Sequence, residues 1–455
     1  MKKELNLKED KITSLLIKYS IPSIIAMLVT SLYNTIDRAF VGSIEGGGAE
    51  ALSALGVAMP LFTIIGAFCV AIAIGGNTNI SIKLGEDNKD LAEKYLGTTV
   101  FLEILAAIFI IVINITFLEQ ILYFFGGSDL TVPLAKDYMI IILLFSILNL
   151  PGFALNGAIR SEGNPKLAAN MMVLGCILNM ILDPIFIFIF DLKIAGAAIG
   201  TVICQVLIFL WSSYYFTFGK SKIKLKLSNI KFDKRLVKDI IKIGITPFLM
   251  EIATGFIFVL TNKILKSYGG DLAIGAMTAI TSIGLLFLMP VYGLSQGMQT
   301  IIAYNIGAKL YNRAKKALYL AIIFATGFLS LGLITILNFK EFFIGLFSDD
   351  VALINLAKYG ISINLITLPT IGIVILGTVY FQTIGYSKRA IFLSLTRSVI
   401  YLLPILYFMP KIFNIFGIFA SQPLADILAL LTVVSMIIKD RKNNSNPINL
   451  NKNNI

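Results

Sequence analysis

The sequence predicts an all-α integral membrane protein with twelve transmembrane helices, arranged as two pseudo-symmetric six-helix bundles in a parallel internal repeat. Three observations support this fold class: an unusually apolar composition, apolar runs of membrane-spanning length, and a match between the two halves. Hydrophobic residues make up 57% of the 455 residues and charged residues 14%. Soluble domains contain roughly 45–50% apolar and about 25% charged residues. A lipid bilayer can accommodate the excess apolar surface, which water cannot.

The apolar runs follow one another along almost the whole chain. Each is long enough to cross a hydrocarbon core of ~30 Å, which needs about twenty helical residues. Many contain proline, which is tolerated where protein or a water-filled cavity satisfies the freed backbone groups. The predicted spans, numbered 1 to 12 in chain order, are 14–40, 53–82, 95–118, 132–159, 166–190, 194–217, 237–264, 275–305, 316–338, 354–383, 390–410 and 414–438.

The positive charges lie mainly on one side of these spans. If the N-terminus is cytoplasmic, 29 of the 38 Lys and Arg residues fall on the inner side and seven on the outer side. This bias predicts a multi-pass membrane protein with both termini cytoplasmic. The Lys-, Asn- and Ile-rich composition indicates an AT-rich bacterial genome, so the expected location is the bacterial cell (inner) membrane. The charge bias also accounts for the net charge of +12, so the lipid bilayer is the expected partner and nucleic acid is not. The predicted units are an N-lobe (12–217), a basic cytoplasmic linker (218–236), a C-lobe (237–438) and a disordered cytoplasmic tail (439–455).

The two halves match when the chain is shifted by 222 residues. Glycines and loop lysines coincide at this single shift, which is harder to obtain by chance than a match of apolar residues. Six spans per unit return the chain to the same side, so the repeats are parallel and related by an axis along the membrane normal. Two such bundles are typical of secondary transporters that bind substrate near mid-membrane. The matched pairs include Gly75 and Gly297, Gly85 and Gly307, Lys94 and Lys316, and Gly163 and Gly385.

The composition argues against most enzyme chemistry. The chain contains no histidine, which removes the commonest general base and metal ligand. Its three cysteines, Cys69, Cys176 and Cys204, lie in apolar runs without the spacing of a zinc site or a disulfide framework. We therefore expect neither an enzyme nor a bound cofactor.

Two aspartates within the N-lobe spans are the strongest candidates for function, because ionisable groups in hydrocarbon are costly. Asp37 and Asp183 lie ~28 and ~27 Å from the inner ends of their helices, so they have similar depth in the outer half of the membrane. Asn34 and Asn179 precede them by three and four residues and share their helix faces, and Asn156 lies in span 4. Carboxylate and amide oxygens can hold Na⁺, and two close buried carboxylates can instead exchange a proton. Alternatively, Asp37 reaches water at the outer surface.

Other charged residues lie nearer the membrane centre. Glu103 and Glu251 are ~14 Å beyond the last inner lysines of their spans, which makes both candidates for a substrate cavity. For Glu103 a structural role is favoured. Glu251 is either functional or the structural partner of Arg397 in span 11.

Three segments resemble the multidrug and toxic compound extrusion (MATE) family, with similarity extending over residues 12–438. They are YSIPSIIAMLVTSLYNTIDRAFVG (19–42), GSIEGGGAEALSALGVAMP (42–60) and GAIRSEGNPKLAANMMVLGCILNMILDPIFIF (157–188). The resemblance implies two lobes around a V-shaped cavity and efflux of organic cations in exchange for H⁺ or Na⁺. It also implies an N-lobe ion site at Asp37 and Asp183, with Asn156 and Asn179 nearby, and a first span that bends at Pro22. A monomer is expected.

The sequence departs from the family pattern in the C-lobe. Some members carry a carboxylate on span 7 about eight residues after its proline, where this chain has Gly255, and an acid in the region of 354–383, where this chain has none. A C-lobe ion site is therefore not expected. Two other functions remain open: a lipid-linked saccharide flippase of the same superfamily, and a polytopic membrane enzyme.

Overall fold

A computed structural model of the protein describes residues 7–44, 48–346 and 351–443. The first six spans form its N-lobe. The described residues are predominantly helical and contain no strand. The helices extend beyond the predicted apolar runs because they continue through the interfacial regions. The N-lobe spans are Ile12–Gly42, Gly48–Gly85, Lys89–Phe124, Thr131–Ser161, Pro165–Pro184 with a π-helical extension Ile185–Ile189, and Lys193–Thr217.

The C-lobe contains three helix breaks that separate or bend its spans. Gly270 has a φ of 61° and divides span 7 from span 8, and span 10 consists of two helices bent by 54°. The stretch Ser387–Asp440 has 54 residues, or ~81 Å of helix, more than twice the ~30 Å core. It is broken at Asn414, whose φ is 51°, and therefore provides spans 11 and 12. The C-lobe spans are Lys234–Gly270, Leu272–Gly307, Tyr311–Asn338, Val351–Asn364 with Leu368–Thr383, 387–413 and 415–440.

The described helices confirm the twelve-span fold class. The chain from 218 to the start of span 7 at Lys234 holds one short 3-10 helix, Leu227–Asn229. The predicted disordered tail is wrong for its first residues, because 439–443 continue the last helix. The rest of that tail, 444–455, lies outside the described residues.

The residues of the SEGNP segment (161–165) form the turn between spans 4 and 5. Gly163 has a φ of +112°, a left-handed conformation that ends span 4 and favours glycine. The side chain of Asn164 accepts a hydrogen bond from the Leu167 amide at 3.3 Å and caps span 5. Pro165 occupies the first turn, where its missing N–H costs nothing. Gly385, the repeat counterpart of Gly163, has a φ of +84° at the corresponding turn of the C-lobe.

The basic linker packs against the cytoplasmic end of the N-lobe. Glu93 forms a 2.5 Å salt bridge with Lys226 and accepts a hydrogen bond from the Lys224 amide at 2.9 Å. Glu162 accepts hydrogen bonds from the Ser221 hydroxyl at 2.5 Å and the Lys222 amide at 3.2 Å. Burial raises the pKa of the Glu162 carboxyl, while these hydrogen bonds oppose the rise. The linker is thus attached to one lobe through two glutamates.

The backbones of the two lobes come into close contact at the cytoplasmic ends of spans 2 and 8. A methyl group at Gly85 would collide with the carbonyl of Tyr304, and one at Gly307 would collide with the carbonyl of Ile82. The shift of 222 residues relates both members of each contact, since it maps Ile82 to Tyr304 and Gly85 to Gly307. The internal repeat therefore places a symmetric glycine contact where the lobes meet.

Polar contacts strengthen the same junction. Arg160, at the cytoplasmic end of span 4, donates a hydrogen bond to Gln296 in span 8. Gln299 donates to the hydroxyl of Thr78 in span 2 at 3.2 Å. These bonds join the lobes without a salt bridge.

Candidate ion-binding site

The N-lobe brings two carboxyl groups into direct contact in its outer half. Asp37 comes from span 1 and Asp183 from span 5, and their side chains lie within hydrogen-bonding reach of each other. Asp183 is fully buried and Asp37 is 9% exposed. Neither forms a salt bridge with a described residue. The matched depth predicted from the sequence therefore corresponds to an observed pair.

Asn179 completes the centre of this pair. Its amide nitrogen donates to Asp183 Oδ1 at 2.9 Å and approaches the Thr201 hydroxyl at 3.5 Å. Three buried acceptor oxygens remain without a hydrogen-bond donor: Asp37 Oδ1, Asp183 Oδ2 and Asn179 Oδ1. Buried acceptors are normally satisfied, so a cluster of three indicates a place for a cation or a proton.

Span 6 approaches the carboxylates through a glycine. A methyl group at Gly200 would collide with Asp183 Oδ1 and lie 3.4 Å from Asn179 Nδ2. Glycine at this position is therefore required for the observed position of Asp183. Tyr33 of span 1 and Tyr138 of span 4 lie within electrostatic range of both carboxylates. Sequence reasoning missed Gly200, Thr201 and the two tyrosines, because only the packing of four spans brings them together.

Two of the predicted site residues lie elsewhere. Asn156 donates to the carbonyl of Ala168 at 3.0 Å, and Ala168 is fifteen residues, or ~22 Å along the helix, from Asp183. Asn156 is near the cytoplasmic end of span 4, so its inclusion with the aspartates was wrong. Asn34 is exposed and forms none of the hydrogen bonds of the pair.

Glu103 has no exposed surface in this structure, which agrees with the structural role favoured from the sequence, and its place in a substrate cavity stays a prediction. The side chain is fully buried, and neither carboxyl oxygen has a hydrogen-bond partner. Cys69 of span 2 lies within electrostatic range. Span 3 packs against spans 2 and 4, and this packing turns Glu103 into the N-lobe interior.

Glu251 is exposed on a face of span 7 that meets the N-lobe. Phe248 contacts Phe68 of span 2, with ring centroids 5.1 Å apart. A methyl group at Gly255 would lie 3.5 Å from Thr63, also in span 2. Glu251 falls between Phe248 and Gly255 at helical spacing, so it lies on the same face, between the lobes.

Arg397 pairs with Asp426 and not with Glu251. Its Nε donates to Asp426 Oδ1 at 2.6 Å. Asp426, fully buried in span 12, also accepts hydrogen bonds from Gln422 at 3.0 Å and Thr367 at 3.1 Å. Sequence reasoning missed Asp426, although it lies in the apolar run LADILALL and meets the criterion that identified Asp183.

The two carboxyl clusters differ in what they can bind. The Asp37 and Asp183 pair has two negative groups and unsatisfied acceptors, so it can bind one proton or one hard cation such as Na⁺. Asp426 already has a cationic partner and two further donors. Among the described residues no group of three or more Cys, Asp or Glu side chains could hold a metal ion.

Comparisons with known proteins agree on one family. The model of the MatE family matches residues 22–185 and 247–408. The multidrug export protein MepA of Staphylococcus aureus is 28% identical over 433 residues, which is 93% of each chain. MepA of Staphylococcus saprophyticus is 27% identical over 431 residues, again 93% of each chain.

A solved structure shows the same fold. The outward-facing conformation of a multidrug resistance MATE family transporter of the MOP superfamily superposes with a TM-score of 0.89 at 21% identity, covering 97% of this chain and 99% of that one. The matching family segments fall one in each lobe, as the internal repeat predicts. The family consists of transporters, so the chain is not an enzyme. The chain belongs to the MatE family of multidrug and toxic compound extrusion transporters.

Proposed function

We propose that the protein exports organic cations in exchange for H⁺ or Na⁺, by alternating access of a central cavity between the two lobes. In this proposal both termini lie in the cytoplasm. The N-lobe (12–217) and the C-lobe (237–438) move relative to each other during transport. Export proteins named MepA, which match over 93% of their length, support this activity.

The contact between Asp37 and Asp183 is the observation that carries the proposal. Arg38 lies within electrostatic range of Asp37, but neither carboxylate has a salt bridge with a described residue. Two such buried carboxylates repel each other unless a cation neutralises one of them. The coupling ion therefore binds between the two carboxylates, where it offsets their repulsion. Its release leaves negative charge in the N-lobe, which favours entry of an organic cation.

Pro22 in span 1 provides a point of bending near the cytoplasmic end. Proline removes a backbone donor and weakens the helix at that turn. Because span 1 also carries Asp37, a bend at Pro22 would couple the ion site to movement of the span.

The test is export of an ethidium-type dye from cells expressing the protein, followed by uptake of the dye into everted membrane vesicles. A pH gradient or a Na⁺ gradient is imposed separately. Uptake driven by one gradient and abolished by its collapse is the expected result. The same vesicles can be supplied with a radiolabelled lipid-linked saccharide. Turnover of the lipid without dye uptake would contradict the proposal and favour a flippase.

A further inference from the structure

The C-lobe contains a half-buried positive charge within a membrane span that cation export does not use. Arg397 is eight residues beyond Arg389, or ~12 Å along span 11, which places it near the centre of a ~30 Å hydrocarbon core. An arginine at this depth is costly unless it faces protein or a water-filled cavity. It lies in the π-helical segment Thr396–Tyr401, and π-helical turns are frequent at functional sites.

The surroundings of Arg397 direct it toward the interior of the C-lobe. Its Nε is bonded to Asp426 of span 12 at 2.6 Å. Tyr292 of span 8 lies within electrostatic range of the guanidinium. The bond to the fully buried Asp426 directs the guanidinium toward span 12 in the interior of the C-lobe.

The two Nη groups of Arg397 are open to a ligand. Neither Nη atom forms a hydrogen bond with a described residue. Neither is a fully buried atom without a partner, so both are accessible. The side chain is 21% exposed, so part of the guanidinium remains accessible while its Nε is bonded to Asp426. The paired N–H groups of a guanidinium match the two oxygens of a carboxylate.

Glu251 supplies an opposite charge in the same region. Tyr292 is within electrostatic range of both Glu251 and Arg397. Glu251 lies ~14 Å beyond Lys242, at nearly the same depth as Arg397. The C-lobe therefore presents a carboxylate and an open guanidinium at matched depth.

We propose that Arg397 binds the carboxylate of a transported compound and that, together with Glu251, it favours zwitterions, compounds with one cationic group and one carboxylate. This inference rests on the proposed export of organic cations and specifies one class of substrate. Because Asp426 offsets the charge of Arg397, the arginine acts through directional hydrogen bonds and does not exclude simple cations.

The test compares two fluorescent ligands that differ only in the carboxylate. Rhodamine B carries a free carboxylate at neutral pH, and its ethyl ester is a monocation. Their affinities for the purified protein in phosphatidylcholine nanodiscs are measured by fluorescence anisotropy. The double variant Arg397→Gln/Asp426→Asn removes the ion pair without leaving a lone charge. It should lower the ratio of acid to ester affinity about tenfold, the loss expected for hydrogen bonds to a charged group.

The control variant Lys411→Gln removes a positive charge at an exposed position of the same span and should leave the ratio unchanged. An equal change for both ligands in the double variant would overturn the carboxylate site. Failure of the wild-type protein to bind the ester would contradict cation export itself, which separates the two proposals.

If the double variant does not fold, a measurement on the wild-type protein still tests the proposal. Rhodamine B, and not the ester, should slow modification of Arg397 by phenylglyoxal, followed by peptide mass spectrometry. Equal protection by both ligands, or by neither, would overturn the proposal. Loss of the acid preference when phosphatidylglycerol is added to the nanodiscs would assign the guanidinium to a lipid headgroup and would also overturn it.

Discussion

The two lobes descend from one repeated unit but hold different polar groups. The N-lobe pairs Asp37 with Asp183, two acids without a salt bridge to a described residue. The C-lobe pairs Arg397 with Asp426 at 2.6 Å. The first pair needs a mobile cation to balance its charge, whereas the second contains its own. This difference supports the proposal that ion coupling takes place in the N-lobe.

The repeat shift shows how the lobes diverged. Shifting by 222 residues places Asp426 opposite Cys204 and Gln422 opposite Gly200. Gln422 donates a hydrogen bond to Asp426 at 3.0 Å, whereas Gly200 leaves space for Asp183. One lobe has thus filled the position with a donor, and the other has left it without a side chain.

The largest expected effect is that of Asp183→Asn. The substitution removes one of the two carboxylates in contact, so the pair can no longer exchange a proton or Na⁺. We expect gradient-driven dye uptake into everted vesicles to be abolished while the protein is still expressed. Asp191→Asn makes the same change at an exposed position just beyond span 5 and should transport normally. Full drug resistance of a well-expressed Asp183→Asn strain would remove Asp183 from the mechanism.

Gly200→Ala should have the next largest effect. The added methyl group collides with Asp183 Oδ1, and overpacking of this kind costs about 1–3 kcal/mol. We expect the concentration of H⁺ or Na⁺ needed for half-maximal uptake to rise about tenfold. The matched control is Gly66→Ala in span 2, where the new methyl group meets nothing within 4 Å. Equal behaviour of the two variants would show that the position of Asp183 is not critical.

A smaller effect is expected in equilibrium binding of drug to the purified protein. If ion and drug compete through the Asp37 and Asp183 pair, each weakens the binding of the other by the same factor. Drug affinity should fall severalfold as pH is lowered or Na⁺ is raised. This dependence should flatten in Asp37→Asn/Asp183→Asn. Fluorescence titrations between about pH 5.5 and 8.5, with and without Na⁺, measure it. Drug affinity that is independent of both ions in the wild-type protein would contradict the competition.

Much of the architecture could be predicted from the sequence, because lipid imposes a simple rule on composition and length. The matched glycines Gly85 and Gly307 indicated the repeat, and the structure supplies the reason for them: both lie where backbones of opposite lobes touch. The depth of Asp37 and Asp183 could be calculated because both helices start at the same membrane face.

The remaining features depend on packing that spacing does not specify. Asn156 was placed with the aspartates, but its distance from the cytoplasmic end of its own span puts it far from them. The sequence left open whether Glu251 is functional or the structural partner of Arg397, whereas the structure pairs Arg397 with Asp426, which also bonds Thr367 at the bend of span 10. For Asn156 the depth of the side chain had not been compared with that of the aspartates, and for Arg397 the direction of the side chain around its helix was the missing information.

The smallest expected effect on transport is that of substituting Glu103. This substitution tests whether every buried acid of the N-lobe takes part in ion coupling. Its side chain is fully buried and both carboxyl oxygens lack a partner. Such a group contributes unfavourable desolvation to folding, of about 1–3 kcal/mol. Methionine has a similar length and no polar atom to satisfy.

We therefore expect Glu103→Met to retain gradient-driven dye uptake and to raise the midpoint of thermal unfolding in detergent. Glu103→Gln keeps the shape but leaves polar atoms without partners, so it should not share the gain in stability. The comparison separates the loss of a buried polar group from a change in packing. Loss of uptake in Glu103→Met, in a protein that unfolds at the wild-type temperature or above, would show that this carboxyl carries an ion. The division between an ion-coupling pair and a structural acid within the N-lobe would then be wrong.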